Sequence, residues 1–201
     1  MRKIAVIYSG NASHYRTFNE PKYNQYLAEL IYFPNFLETP INHFDVLLVP
    51  SQMNETLLLQ AKEKIHAYAE QGGIVVAFGP QPWEWLPNQK WEERETNFWW
   101  WKEKGAKSGL VLAAPENDLF NYITLSDATW HQHGVFWPIA GAKTLIATED
   151  GGSVMYLDKV STGGTWIITT LDPDYHFGSY FMPATERFLD GFLPWLANGE
   201  I

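Results

Sequence analysis

Histidines and acidic residues carry the chemistry open to this chain, because it contains no cysteine. The stretch Asp127-Ala128-Thr129-Trp130-His131-Gln132-His133 sets two imidazoles two positions apart. Alternate residues of an extended segment face the same way, so His131 and His133 can reach one ion, with His176 or Asp172 closing the set from a later loop. Such a centre would serve metal-assisted hydrolysis or sugar modification, with Asp127 or Asp174 as general base. The alternative is a pair of hydrogen-bonded loop histidines, and nothing in the sequence demands a metal or other cofactor. His14, beside Ser13 and Tyr15, suits a pocket wall or a plain loop, while His43 and His66 have no assigned role.

Aromatic residues offer a second chemistry. Of ten tryptophans, six fall from Trp83 to Trp101, joined there by Phe98. An indole face stacks on the apolar face of a sugar ring, and Glu84, Glu92, Glu93 and Glu95 could accept hydrogen bonds from its hydroxyls. The competing expectation is that these rings fill a satellite core or join copies of the chain in a homo-oligomer.

The elements that would position these residues can be read from hydrophobic runs. Ile4 to Tyr8, Val46 to Val49, Ile74 to Phe78 and Leu110 to Ala113 are short, rich in Val, Ile and Leu, and bounded by turn residues, as strands of a sheet covered on both faces would be. Between Glu55 and Gln71 an apolar stripe of Leu57, Leu58, Ala61, Ile65 and Ala69 predicts a helix, ended by Gly72-Gly73. A weaker helix is expected from about Tyr23 to Leu30 behind Pro21. Ser153 to Asp158 and Thr165 to Leu171, joined by a Gly-containing link, predict an antiparallel hairpin. A last helix starts near Pro183 and is expected to kink or stop at Pro194. No linker or repeat interrupts residues 1–201, so one domain is expected.

Composition excludes several partners. With 14 Lys plus Arg against 23 Asp plus Glu, the formal charge of -9 repels nucleic acid. No apolar stretch approaches the roughly 18 residues that span a bilayer, and the opening Met1-Arg2-Lys3-Ile4-Ala5-Val6-Ile7-Tyr8 reads as a strand rather than a signal peptide. The expected setting is cytoplasmic. Asn11-Ala12-Ser13 and Asn54-Glu55-Thr56 match the glycosylation sequon only formally.

Three segments resemble the class I glutamine amidotransferase-like superfamily, and within it the trehalose-utilisation (ThuA-like) branch. They are Phe44-Asp45-Val46-Leu47-Leu48-Val49-Pro50, then Tyr68-Ala69-Glu70-Gln71-Gly72-Gly73-Ile74-Val75-Val76-Ala77-Phe78-Gly79, then the closing hairpin with Asp172-Pro173-Asp174-Tyr175-His176 and the final helix. The resemblance implies a flavodoxin-like α/β fold: an open, mostly parallel sheet with helices on both faces, a C-terminal antiparallel hairpin and a Trp-rich excursion. It also implies that a nucleophilic Cys should follow the strand after the paired glycines. Ala77-Phe78-Gly79-Pro80-Gln81 occupies that bend, with no nucleophile and with a proline that lacks an N–H. His176 matches the general base, while Gly178 stands where the orienting Glu would be. Acyl transfer is therefore not expected. The expectation is a non-catalytic domain that binds a small polar ligand, such as a carbohydrate, or a protein partner at the carboxyl edge of the sheet. Ser9, Gly10, His14, Gly79, Trp83, Trp85, His131, His133 and His176 would form that site.

Overall fold

In the computed structural model, residues 1–96, 102–180 and 182–201 are described. The chain runs β1 (Ile4–Tyr8), α1 (Ala12–Asn19), α2 (Pro21–Asn24), β2 (Leu27–Tyr32), β3 (Val46–Val49), α3 (Glu55–Glu70), β4 (Ile74–Ala77), β5 (Trp91–Glu93), β6 (Leu110–Leu112), β7 (Gly134–Phe136), β8 (Lys143–Thr148), β9 (Ser153–Asp158), β10 (Thr165–Thr169), α4 (Pro173–Gly178) and α5 (Pro183–Asn198). Local chemistry explains the helix boundaries. Asn11 and Asn54, the two formal sequon positions, are N-caps whose side-chain oxygens accept from Ser13 N at 2.8 Å and Leu57 N at 3.0 Å. Past the end of α3, Gly72 takes a φ of +95°, a conformation that glycine enters without steric cost.

Among the described residues ten strands form one sheet, and that sheet is mixed. Strands β2, β1, β3, β4 and β10 pair in parallel in that order. Beyond β10 every pairing is antiparallel: β10 with β9, β9 with β7 and β8, β7 with β5, and β8 with β6. The mostly parallel, flavodoxin-like sheet expected from the sequence is thus incorrect. Leu110–Leu112, expected as another strand of the parallel set, pairs antiparallel with β8. The physical reason is that burial on both faces makes a strand read as an unbroken apolar run whichever way its partner points. The hairpin of β9 and β10 forms as expected.

Alternate residues along the central strands feed two cores. Ile4, Val6, Leu48, Val76 and Ile167 pack with Phe188, Phe192 and Trp195 of α5, while Ala5, Ile7, Leu47, Val49, Val75 and Trp166 pack with Leu58, Ala61 and Ile65 of α3. A further expectation is corrected. The segment expected as a helix from Tyr23 to Leu30 is α2 followed by the edge strand β2, whose apolar run Leu27–Tyr32 is broken by the exposed Glu29. Helix α5 continues through Pro194 to Asn198, so of the two outcomes expected there the stop does not occur. An interior proline costs about 3 kcal/mol, but Trp195 and Leu196 beyond it are fully buried, and each contributes about 1.5–3 kcal/mol by burial. No helix among the described residues is long and apolar enough to cross a membrane.

Candidate functional site

The carboxyl ends of the parallel strands carry a buried polar cluster. Strand β10 ends at Thr169 and the chain then turns into α4, placing Asp172 at the helix N-cap and His176 one turn later on the same side. From the antiparallel half, the loop before β7 brings His131 to the same point. His176 Nε2 lies 3.2 Å from His131 Nε2 and 3.2 Å from Asp172 Oδ2. The rings of His131 and His176 are nearly perpendicular, with centroids 4.7 Å apart. Trp130 Nε1 donates to the other carboxylate oxygen, Asp172 Oδ1, at 3.0 Å. All three titratable residues are buried.

Burial governs the protonation of this cluster. It pushes His131 down to about 4, aided by the neighbouring His176 and His133 and opposed by the Asp172 charge, so His131 is neutral at pH 7. Burial acts on Asp172 in the opposite sense. The hydrogen bonds from His176 and Trp130 help to outweigh it, holding this carboxyl below its ordinary value.

A second polar group lies just behind. Asp174 Oδ2 accepts from Ser51 N and from Ser51 Oγ, both at 3.0 Å, and lies 3.1 Å from His14 Nε2 without hydrogen-bond alignment. All three side chains are fully buried. His14 thus stands in the interior instead of lining a pocket, and Ser51, at the end of β3, was not singled out by the sequence because a lone serine carries no pattern.

The bend after β4 contains no attacking group. Gly79 has a φ of +84°, and a Cβ there would lie 2.5 Å from Ser51 Cβ. Pro80 follows, and Gln81 turns back to bond Phe78 O and the Trp85 indole. Gly178 is closed as well, since a Cβ would lie 2.0 Å from Ser13 O on α1. Of the other expected site residues, His133 is half-buried, with Nδ1 2.9 Å from Thr96 Oγ1 and its ring 5.1 Å from that of His131. Asp127 caps Thr124 and pairs with Arg187 at 2.9 Å, which removes it from the cluster. Ser9 and Gly10 are accessible at the carboxyl end of β1.

The structure places Trp83, Trp85 and Trp91 in packing contacts away from this cluster. Trp85 is fully buried, packs edge-on against Trp166 and donates to Gln81, so neither face is open for stacking. Trp83 is half-buried against the same core, and Trp91 packs on Phe136 with centroids 4.9 Å apart. Phe98, Trp99, Trp100 and Trp101 lie outside the described residues. The rings offered at the carboxyl edge are tyrosines instead. Tyr8 and Tyr32, the last residues of adjacent strands β1 and β2, flank an open group with Tyr15 of α1, with centroid distances of 5.7 Å and 6.0 Å from Tyr8. Tyr15 is 54% exposed and Tyr32 49%. The sequence signal for them is the coincidence of aromatic residues at strand ends.

A cavity of about 450 Å³ reaches His176 and is walled by Arg16, Glu20, Lys22, Phe177, Tyr180 and Glu186, among others. A larger one of about 700 Å³ lies at the opposite, amino end of the strands, among Met1, Arg2, Asn42 and Asp45, and touches none of the clustered histidines.

No protein-family profile matches the chain, and no curated protein matches it. Solved structures do match across nearly the whole chain. The cytoplasmic protein STM1381 from Salmonella typhimurium LT2 superposes with a TM-score of 0.59 at 10% identity, covering 98% of this chain and all of that one. The cytoplasmic protein STM3548 from Salmonella typhimurium gives 0.58 at 10% identity over 97% of this chain and 98% of that one. The exo-β-1,4-mannosidase Op5Man5 from Opitutaceae bacterium strain TAV5 gives 0.55 at 11% identity, with 98% of this chain matched to 36% of that longer protein. At such identities the likeness establishes a shared fold.

Proposed function

We propose that this protein is a non-catalytic, amidotransferase-like domain of the cytoplasm that binds a small polar ligand, of carbohydrate type, at the carboxyl edge of its sheet. The observation that carries this reading is the pairing of an open polar edge with a bend that lacks any nucleophile. Tyr15 and Tyr32 present accessible rings there, and the cavity beside His176 has side chains of both charges along its wall. A tyrosine combines an apolar face for a sugar ring with a hydroxyl for its polar rim. Acyl transfer needs a nucleophile, a base and an orienting acid. On this reading the first position falls at the Gly79-Pro80 bend and the third at Gly178, and a Cβ on either glycine would lie 2.5 Å or less from a neighbouring atom. The acidic charge and the lack of cysteine suit the proposed compartment.

Thermal unfolding against a panel of mono- and disaccharides that includes trehalose tests the proposal. A ligand at a hundredfold excess over its Kd adds about 2.7 kcal/mol of stability, which raises Tm by about 5–10 °C for a domain of this size. Tyr32→Ala is expected to abolish most of that shift while leaving the ligand-free Tm within a few degrees. No shift with any saccharide would sink the carbohydrate reading, and ammonia released from glutamine by the purified protein would sink the non-catalytic one.

A further inference from the structure

We propose that His131, Asp172 and His176 bind one divalent transition-metal ion of the zinc type, through His131 Nε2, His176 Nε2 and a carboxylate oxygen of Asp172. The three donor atoms lie within 4.8 Å of one another, and two of the separations are 3.2 Å. Ligands at about 2.0–2.1 Å around a tetrahedral ion sit about 3.3–3.4 Å apart, so these two contacts already have the spacing that such an ion imposes. A proton on His176 Nε2 can bridge toward one neighbour or the other, whereas a cation at the centre engages all three donors at once.

The donor set selects the ion. Two imidazoles with one carboxylate favour zinc and its first-row neighbours, while calcium and magnesium take oxygen ligands. The supporting contact is also in place. The Trp130 indole holds Asp172 Oδ1 at 3.0 Å and so leaves Oδ2 directed at His176. Hydrogen bonds of that kind orient first-row metal ligands and raise affinity. Asp172 and His176 are fixed one turn apart by α4, and His176 also borders the 450 Å³ cavity, which gives the fourth coordination position a way to solvent. The set differs from the one considered from the sequence, in which His131 and His133 were joined by either His176 or Asp172. A carboxylate takes the third place, and His133 is directed to Thr96 instead.

Metal binding at this point goes beyond the saccharide reading and does not require it. The test uses untagged protein, stripped with chelator and titrated with Zn²⁺ or Co²⁺ alone. One equivalent per chain is expected, and the Co²⁺ form should show the intense visible absorption of a tetrahedral site. His131→Gln, Asp172→Asn and His176→Gln should each weaken binding by about 100-fold or more, and Trp130→Phe by about 10-fold. His43→Gln, which alters an exposed histidine remote from the cluster, should change nothing. Substoichiometric uptake, a weak octahedral Co²⁺ spectrum, or full affinity in the ligand variants would overturn the proposal. If the variants fail to fold, the wild-type Co²⁺ spectrum alone decides it. A saccharide-induced Tm shift persisting without metal uptake separates failure here from failure of the proposed ligand site.

Discussion

Asp174→Ala is expected to destabilise the fold by about 3–5 kcal/mol, the range found when one partner of a buried polar pair is removed. The carboxylate accepts from both the backbone N–H and the hydroxyl of Ser51 and stands against His14, with all three side chains at 0% exposure. Truncation would leave these groups buried without an acceptor and open a small void between β3, α1 and α4. Asp174→Asn should cost less than half as much, because an amide oxygen still accepts from Ser51. Urea unfolding followed by tryptophan fluorescence checks both variants, with a lowered midpoint at unchanged slope. A loss under about 1 kcal/mol in Asp174→Ala would show that this network contributes little to the fold.

Gly178→Ala is expected to cost about 3 kcal/mol or more, at or above the upper end of the overpacking range. Its Cβ would lie 2.0 Å from Ser13 O and 2.5 Å from Ser13 Cα, and backbone cannot move aside as a flexible side chain can. Gly72→Ala provides the contrast. Gly72 has a positive φ but nothing within 4 Å of a new Cβ, so only the conformational cost of about 1–2 kcal/mol applies. Comparing the two variants by thermal melting therefore separates close packing from backbone strain. Gly178→Glu should not rebuild a catalytic triad, since the side chain would have to push α1 off α4 before it could reach His176. Equal, mild losses for Gly178→Ala and Gly72→Ala would contradict this account.

The parts of the fold legible in the sequence are those where one local signal dominates. The buried strands β1, β3 and β4 and the striped helix α3 announce themselves, and the β9–β10 hairpin follows from two β-rich runs around a Gly-containing link. Strand direction is not legible, because side-chain burial carries no memory of which way the neighbour runs. Strands β5 and β7 span three residues each, too few to show a period. At the candidate site, His131 and His176 were visible as residue types. That Asp172 is their third member depends on a helix beginning there, and that His133 turns to Thr96 depends on packing from a distant loop. Trp85 illustrates the reverse case: its abundance of neighbouring tryptophans suggested a binding platform, while the Gln81 contact and Trp166 packing make it core.

Strand β10 joins the two halves of the sheet, lying between β4 and β9. Because the chain is made from its amino end, β4 must wait with an uncapped flank while nearly ninety further residues leave the ribosome. That delay makes the synthesis of the stretch between Ala77 and Thr165 the vulnerable period, when a sticky ribbon edge is open to strands of other chains. Stalling or truncation before Thr165 should therefore yield aggregates rather than a smaller soluble fold, and the polar cluster at Asp172 can assemble only after the seam has closed.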